Sequence, residues 1–81
     1  MKVLYSDRFK KSYQAATDQI KDQFDKQLAF LLDDLKHPSL HAKKYDEKRG
    51  IWQARVNRDW RFYFLIEEDI YYLIDIMAHP K

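Results

Sequence analysis

Arginine, glutamine, histidine and tyrosine side chains gather on one face of three strands predicted for the second half of the chain. The residues alternate along 51–57, 60–66 and 70–78, so every second side chain points the same way. The polar face comprises Gln53, Arg55, Asn57, Arg61, Tyr63, Leu65, Tyr71, Leu73, Asp75, Met77 and His79. Guanidinium groups hold phosphates, imidazole moves protons near neutral pH, and tyrosine rings stack on bases. This face therefore predicts a site for a phosphate-containing ligand.

The positive charge of the chain is concentrated in its middle third. The whole sequence carries a formal charge of only +2, but residues 36–61 hold eight basic side chains against three acidic ones. Such a segment can attract a polyanion. The alternative, which is the commoner one for a run of charges taken alone, is a solvated loop of lysines.

The first half of the chain predicts a short strand and two amphipathic helices. Val3–Tyr5 is a short apolar run, and Ser6 or Asp7 can cap a helix that carries Phe9, Tyr13 and Ala16 on one side. A second cap at Thr17–Asp18 begins a longer helix, which must end near His37–Pro38 because the residue before a proline leaves the α region. The apolar stripe of this second helix consists of Ile20, Phe24, Leu28, Leu31, Leu32 and Leu35.

The second half predicts an antiparallel meander whose other face is apolar. Asn57–Asp59 and Glu67–Asp69 are short enough to be hairpin loops between the three strands. The apolar face would consist of Trp52, Ala54, Val56, Phe62, Phe64, Ile66, Tyr72, Ile74 and Ile76. We expect the helical stripe to pack on it. The prediction is one α+β domain over residues 1–81, with an antiparallel helical hairpin on one face of a mainly antiparallel four-stranded sheet, in the order β-α-α-β-β-β.

The composition excludes several classes of protein. There is no cysteine, which rules out disulfides, thiol catalysis and thiolate zinc sites. The three histidines are scattered without a metal-binding spacing, so neither a metal nor a cofactor is expected. No apolar run reaches the roughly 20 residues of a membrane helix, and charge follows the N-terminus too soon for a signal peptide. These features predict a cytoplasmic protein without membrane contact.

Taken together, these elements resemble the RelE/ParE superfamily of small toxins from bacterial toxin–antitoxin modules. The order of elements covers essentially all 81 residues. The most specific stretch reads G-x-W-x-A-R-V-x-R-D-W-R from Gly50 to Arg61, between His37–Tyr45 and Ile76–His79. The resemblance on its RelE-like side implies a ribonuclease that cuts mRNA, commonly on the ribosome. It also implies that a cognate antitoxin protein silences the toxin.

The resemblance also implies roles for residues at matching positions. His79 would act as general acid or base, while Arg55 and Arg61 clamp the scissile phosphate, and the product would be a 2′,3′-cyclic phosphate. Lysine stands in some members where this chain has Gln53, and the aromatic residue that often follows the last strand is missing here. The remaining predicted substrate-binding residues are Gln53, Asp59, Trp60, Tyr63, His41, Lys43 and Lys44, with His41 as a second candidate for proton transfer and Trp60 or Tyr63 as candidates to stack on a base.

Several alternatives stay open at the level of sequence. A ParE-like toxin shares the fold but binds DNA gyrase and cleaves no nucleic acid, and an inactive family member would only bind its antitoxin. Trp60 alternates with the apolar face, so it could pack in the core instead of stacking on a base. Asp75 could pair with Arg55 or Arg61 across the strands, which would make those arginines structural.

Overall fold

Five strands and two helices follow one another along the computed structural model, which describes residues 1–79. The strands are β1 (Lys2–Tyr5), β2 (Lys43–Asp46), β3 (Ile51–Arg55), β4 (Trp60–Glu67) and β5 (Ile70–Ala78). The helices are α1 (Asp7–Ala15) and α2 (Asp18–Asp33), and a single 3₁₀ turn spans Pro38–Leu40. The strands form one sheet in the order β1-β5-β4-β3-β2. The predicted α+β class and the antiparallel meander are confirmed.

Strand β2 was not expected from the sequence, which predicted four strands and a basic loop. Lys43 and Lys44 pair with Gln53 and Trp52, so β2 extends the sheet beyond β3 in the antiparallel sense. The strand lies at the edge and is largely exposed, so its side chains need not alternate between apolar and polar. Lysines on an edge strand also discourage pairing with other chains. At the opposite edge, β1 runs parallel to β5.

Both helices begin at the caps that the sequence predicted. The Ser6 Oγ accepts a hydrogen bond from the Phe9 N–H at 2.9 Å, and the Thr17 Oγ1 accepts one from the Ile20 N–H at 3.2 Å. Helix α2 ends at Asp33, four residues before His37, because Asp34 adopts an extended backbone. The Asp34 carboxylate accepts a hydrogen bond from the Lys36 N–H at 2.9 Å, and this local bond competes with the hydrogen bonds that would continue the helix. Neither helix within residues 1–79 has the length and apolarity that crossing a bilayer requires.

The core lies between the helices and one face of the sheet. Phe24 and Leu31 of α2 are buried, and the Phe24 ring meets the Phe62 ring of β4 edge-on with centroids 5.1 Å apart. The predicted stripe is correct for most positions, but Leu32 is 42% exposed. Gln27 is buried in its place, since it follows Phe24 by three residues and precedes Leu31 by four.

A β-bulge in β5 changes which of its residues face the core. Tyr63 pairs with Asp75 while Phe64 pairs with Leu73, so one residue of β5, Ile74, is left without a partner on β4. The alternation is reversed on the N-terminal side of the bulge. Leu73 and Tyr71 are therefore buried in the core, and the prediction that Tyr72 and Ile74 face it was wrong. Ile76, beyond the bulge, is buried as expected.

Candidate functional site

A polar cleft of about 320 Å³ opens on the face of the sheet that is turned away from the core. Its lining brings together the three residues that were predicted to do chemistry and several predicted to bind substrate. The predicted residues in the lining are His41, Lys43, Gln53, Arg55, Arg61 and His79, and Ala42 completes it. Within the part of the chain that the structure describes, no carboxylate lines this cleft. The cleft therefore combines two imidazoles with three cationic side chains.

The hairpin between β3 and β4 places the two arginines and the histidine side by side. Arg55 and Arg61 are paired across this hairpin. The Asn57 Oδ1 accepts hydrogen bonds from the N–H groups of Asp59 (2.8 Å) and Trp60 (2.9 Å), which closes the loop. The Asp59 carbonyl in turn accepts a hydrogen bond from the His79 N–H at 2.7 Å. The end of β5 is thereby tied to the loop, and His79 stays beside the arginines.

Arg61 is held rigidly by its own hairpin. Its Nη1 donates to the carbonyls of Asn57 (2.8 Å), Arg58 (3.1 Å) and Trp60 (2.9 Å), and the residue is only 9% exposed. Burial lowers the pKa of this guanidinium, and the nearby Arg55 lowers it further. The guanidinium nevertheless keeps its charge, because arginine is not deprotonated in proteins. Arg61 is thus a fixed positive charge at the floor of the cleft, while Arg55 is half-exposed.

Gln27 supports the cleft from the core side and was missed by the sequence analysis. Its Nε2 donates to the carbonyls of Ser39 (3.0 Å) and Arg55 (2.9 Å), and its Oε1 accepts from the Ser39 hydroxyl (2.8 Å). It therefore links the 3₁₀ turn that precedes His41 to the end of β3. The signal in the sequence was a glutamine on the apolar stripe of α2, where a buried amide needs polar partners.

His41 reaches the cleft because the chain turns sharply there. Its backbone is left-handed, with φ of 46°, and its N–H donates to the Pro38 carbonyl at 3.4 Å. This turn ends the 3₁₀ segment and redirects the chain into β2. Lys43, two residues later, lies opposite Gln53 on the cleft side of the sheet.

Tyr63 lies beside the cleft without lining it. It pairs with Gln53 on the neighbouring strand and is only 8% exposed. Burial is the main cause that raises the pKa of its phenol, and the adjacent Tyr45 raises it further, whereas Arg61 lowers it. The ring is covered by Tyr45, whose centroid is 5.0 Å away.

Three other predicted substrate-binding residues lie outside the cleft lining. The Lys44 ammonium is 5.1 Å from the centroid of Trp52, which belongs to the opposite side of the sheet. Trp60 is half-buried and packs against the core, as its alternation allowed. Asp59 is exposed and is tied to His79 through its backbone carbonyl. Their contact with a substrate stays a prediction.

Asp75 pairs with α1 instead of with the cleft arginines. Its carboxylate accepts a hydrogen bond from the Ser12 hydroxyl at 2.7 Å and lies 3.6 Å from the Arg8 Nε. Asp75 itself is 7% exposed, whereas the Arg8 side chain lies mostly in solvent. Arg55 and Arg61 are therefore not neutralised by Asp75.

Comparison with known proteins identifies related toxins. The family model described as ParE toxin of type II toxin–antitoxin system, parDE, matches residues 3–80. The fold is similar to that of a YoeB/ParE toxin from Agrobacterium tumefaciens, with a TM-score of 0.82 at 13% identity over 99% of this chain and 100% of the other. YafQ from E. coli gives 0.78 at 17% identity over 95% and 91% of the two chains. A heterotetrameric YoeB–YefM toxin–antitoxin complex from Staphylococcus aureus gives 0.79 at 12% identity over 99% and 98%. No curated protein sequence matched this chain.

Proposed function

The chain belongs to the ParE toxin family of type II toxin–antitoxin systems, and we propose that within this family it is an endoribonuclease that cleaves mRNA without a metal. The observation that carries the proposal is the cleft in which Arg55, Arg61 and His79 converge with no carboxylate in its lining among residues 1–79. A site of this charge favours a phosphodiester over a neutral or cationic ligand. Loss of translation would follow from loss of the message.

The proposed reaction is an internal transfer of the phosphate. The 2′-oxygen attacks the adjacent phosphorus as its proton passes to a base, and the bond from phosphorus to the 5′-oxygen breaks as an acid protonates that oxygen. The products are a 2′,3′-cyclic phosphate and a 5′-hydroxyl. His79 is the proposed acid or base, and His41 can take the complementary role because both line the same cleft.

The cationic side chains would stabilise the charge that develops on the phosphate. Arg61 is already fixed by three carbonyls through its Nη1, so it costs little reorganisation when the transition state forms. Arg55 is more exposed and can close on the phosphate from the side. Gln53, at 5% exposure between Lys43 and Tyr63, can orient the substrate by hydrogen bonding.

We further propose that the partners are a cognate antitoxin, mRNA and the ribosome, in the cytoplasm. One related structure is a complex of the toxin YoeB with YefM. The excess of basic side chains in residues 36–61 suits an acidic antitoxin segment as well as it suits RNA.

A gyrase-binding toxin is the second candidate, because the matching family model is that of ParE toxins. Such a protein would inhibit gyrase by binding and would not need Arg55, Arg61 and His79 to converge. The two functions leave different damage in the cell. The ribonuclease would cut transcripts and leave DNA intact, whereas the gyrase toxin would cause DNA breaks with intact transcripts.

Mapping transcript 5′-ends after brief induction tests the proposal. We expect new 5′-hydroxyl ends with the wild type, and a loss of roughly hundredfold or more with His79→Gln or Arg55→Ala. The matched controls are His37→Gln, whose ring stacks on Phe30 outside the cleft, and Arg58→Ala in the exposed hairpin loop. Both controls should cleave like the wild type. Undiminished cleavage by both cleft variants, or DNA breaks without transcript cleavage, would refute the proposal. Antitoxin binding without growth arrest would indicate an inactive family member.

A further inference from the structure

Tyr45 is an aromatic residue that projects from the edge strand β2 into solvent. Tyr45 is 60% exposed, which is more than any other large hydrophobic residue within residues 1–79. It lies where the pairing of β2 with β3 is irregular, between Lys44 and Asp46. A single exposed aromatic residue needs no explanation by itself, so the case for a ligand depends on what supports this ring and on what lies beside it.

The Tyr45 ring is largely exposed but packs against a buried neighbour. It meets the ring of Tyr63 with centroids 5.0 Å apart and an interplanar angle of 64°. Tyr63 is buried and lies in the middle of the sheet, so it provides a rigid support. A ring that already packs against a rigid neighbour loses less conformational entropy when a ligand stacks on it than a fully solvated ring would.

The position of Tyr45 relative to the cleft suits a neighbouring nucleotide. Lys43 lines the cleft two residues earlier on the same strand, and Tyr63 pairs with the cleft residue Gln53. The ring thus stands at the side of the cleft, next to cations that attract phosphates. Of the two aromatic residues first predicted to stack on a base, Trp60 packs against the core and Tyr63 is 8% exposed. Of the aromatic rings beside the cleft, Tyr45 therefore has the exposed surface on which a base can stack.

We propose that Tyr45 is a stacking platform for an unpaired nucleobase of the RNA whose phosphate occupies the cleft. This inference rests on the proposed function for the identity of the ligand. Stacking of a base on an aromatic side chain tolerates any sequence, because every base has a flat π-face. Tyr45 would therefore strengthen binding of single-stranded RNA without selecting one base by hydrogen bonds. Lys43 would hold the adjoining phosphate.

The test measures binding in the absence of cleavage. The probe is a short, fluorescently labelled single-stranded RNA with 2′-O-methyl riboses, which cannot be cut through the 2′-oxygen. A second probe has the same backbone with abasic residues in place of the bases. Fluorescence anisotropy at one fixed low salt concentration gives the Kd of each probe for the wild type, Tyr45→Ala, Tyr45→Phe and Tyr5→Ala. Tyr5 is the matched control because it is also exposed but lies on β1, at the opposite edge of the sheet.

We expect the wild type to bind the base-bearing probe more tightly than the abasic one. Tyr45→Ala should weaken binding of the base-bearing probe by roughly fivefold to hundredfold and leave the abasic probe unchanged. Tyr45→Phe and Tyr5→Ala should bind like the wild type. The proposal that Tyr45 is a stacking platform would be overturned if the wild type bound both probes equally or bound neither. An unchanged Kd of Tyr45→Ala for the base-bearing probe would also overturn it.

The result separates this inference from the proposed cleavage. If transcripts are cut in cells but Tyr45→Ala binds RNA normally, the platform is wrong and the ribonuclease stands. If Tyr45 governs base binding but transcripts remain intact, the platform stands and the cleavage proposal fails.

Discussion

Replacing Gln27 with leucine should destabilise the fold by about 2 kcal/mol, because its amide joins the 3₁₀ turn to the end of β3 by hydrogen bonds. The substitution removes the hydrogen bonds to the carbonyls of Ser39 and Arg55 and the bond from the Ser39 hydroxyl. Each such bond contributes about 0.5–1.5 kcal/mol net. All three are only partly shielded from water, so the lower half of that range applies. Leucine has a similar size and leaves little cavity, so packing adds only a small further cost.

This loss is large for a chain of 81 residues. Domains of this size unfold with roughly 4–12 kcal/mol, so the midpoint of urea unfolding should fall clearly while the slope stays unchanged. The control is Gln19→Leu, an exposed position on the same helix, which should lie within about 0.5 kcal/mol of the wild type.

A double-mutant cycle isolates the contribution of the Gln27 amide. Ser39→Ala removes the hydroxyl donor, and the effects of Gln27→Leu and Ser39→Ala should not add, because the two residues share a hydrogen bond. Additive effects, or a Gln27→Leu protein as stable as the Gln19→Leu control, would refute the assignment of Gln27 as the link between the 3₁₀ turn and β3.

Two further predictions concern stability. Burial raises the pKa of Tyr63, so the phenol loses its proton at a lower pH in the unfolded chain than in the folded one. The protonated phenol therefore contributes its full stabilisation below about pH 10, and this stabilisation declines as the pH rises further. Tyr63→Phe should therefore lose stability less steeply than the wild type in urea unfolding between about pH 9 and 11, and parallel profiles would contradict the reasoning. Gly50→Ala should cost about 1–2 kcal/mol because Gly50 has φ of 69°, where a residue with a Cβ is strained. No further cost from a clash is expected, since the new Cβ would meet no atom within 4 Å. Gly50→Asn should cost less in the same assay, because asparagine tolerates the left-handed region, and an alanine variant of wild-type stability would contradict this explanation.

The regular elements could be predicted because their signals are local. Ser6 and Thr17 cap the helices where the sequence placed the caps, and Phe24 and Leu31 lie on the buried stripe that their spacing predicted. The hairpin between β3 and β4 followed from a short polar loop between two alternating runs. These features depend on residues a few positions apart, so one sequence suffices to read them.

The errors fall where pairing between distant segments overrides local pattern. The bulge at Ile74 reverses the faces of β5 upstream of it, and Tyr71 replaces Tyr72 in the core. Strand β2 forms because β3 offers it a free edge, although its own residues carry no strand alternation. Asp75 finds Ser12 on α1 instead of an arginine on the neighbouring strands.

The types and order of residues by themselves determined the two helices, the meander of β3 to β5 and the side chains available for a phosphate: Arg55, Arg61 and His79. Only the tertiary structure decided that these three share a cleft with His41 and Lys43, that Gln27 supports it from the core, and that Tyr45 is left open beside it. The physical reason is the difference in sequence separation over which the interactions act. Backbone propensity and periodicity act over one or two turns, whereas strand register, burial and hydrogen bonds between segments are settled only when the whole chain packs.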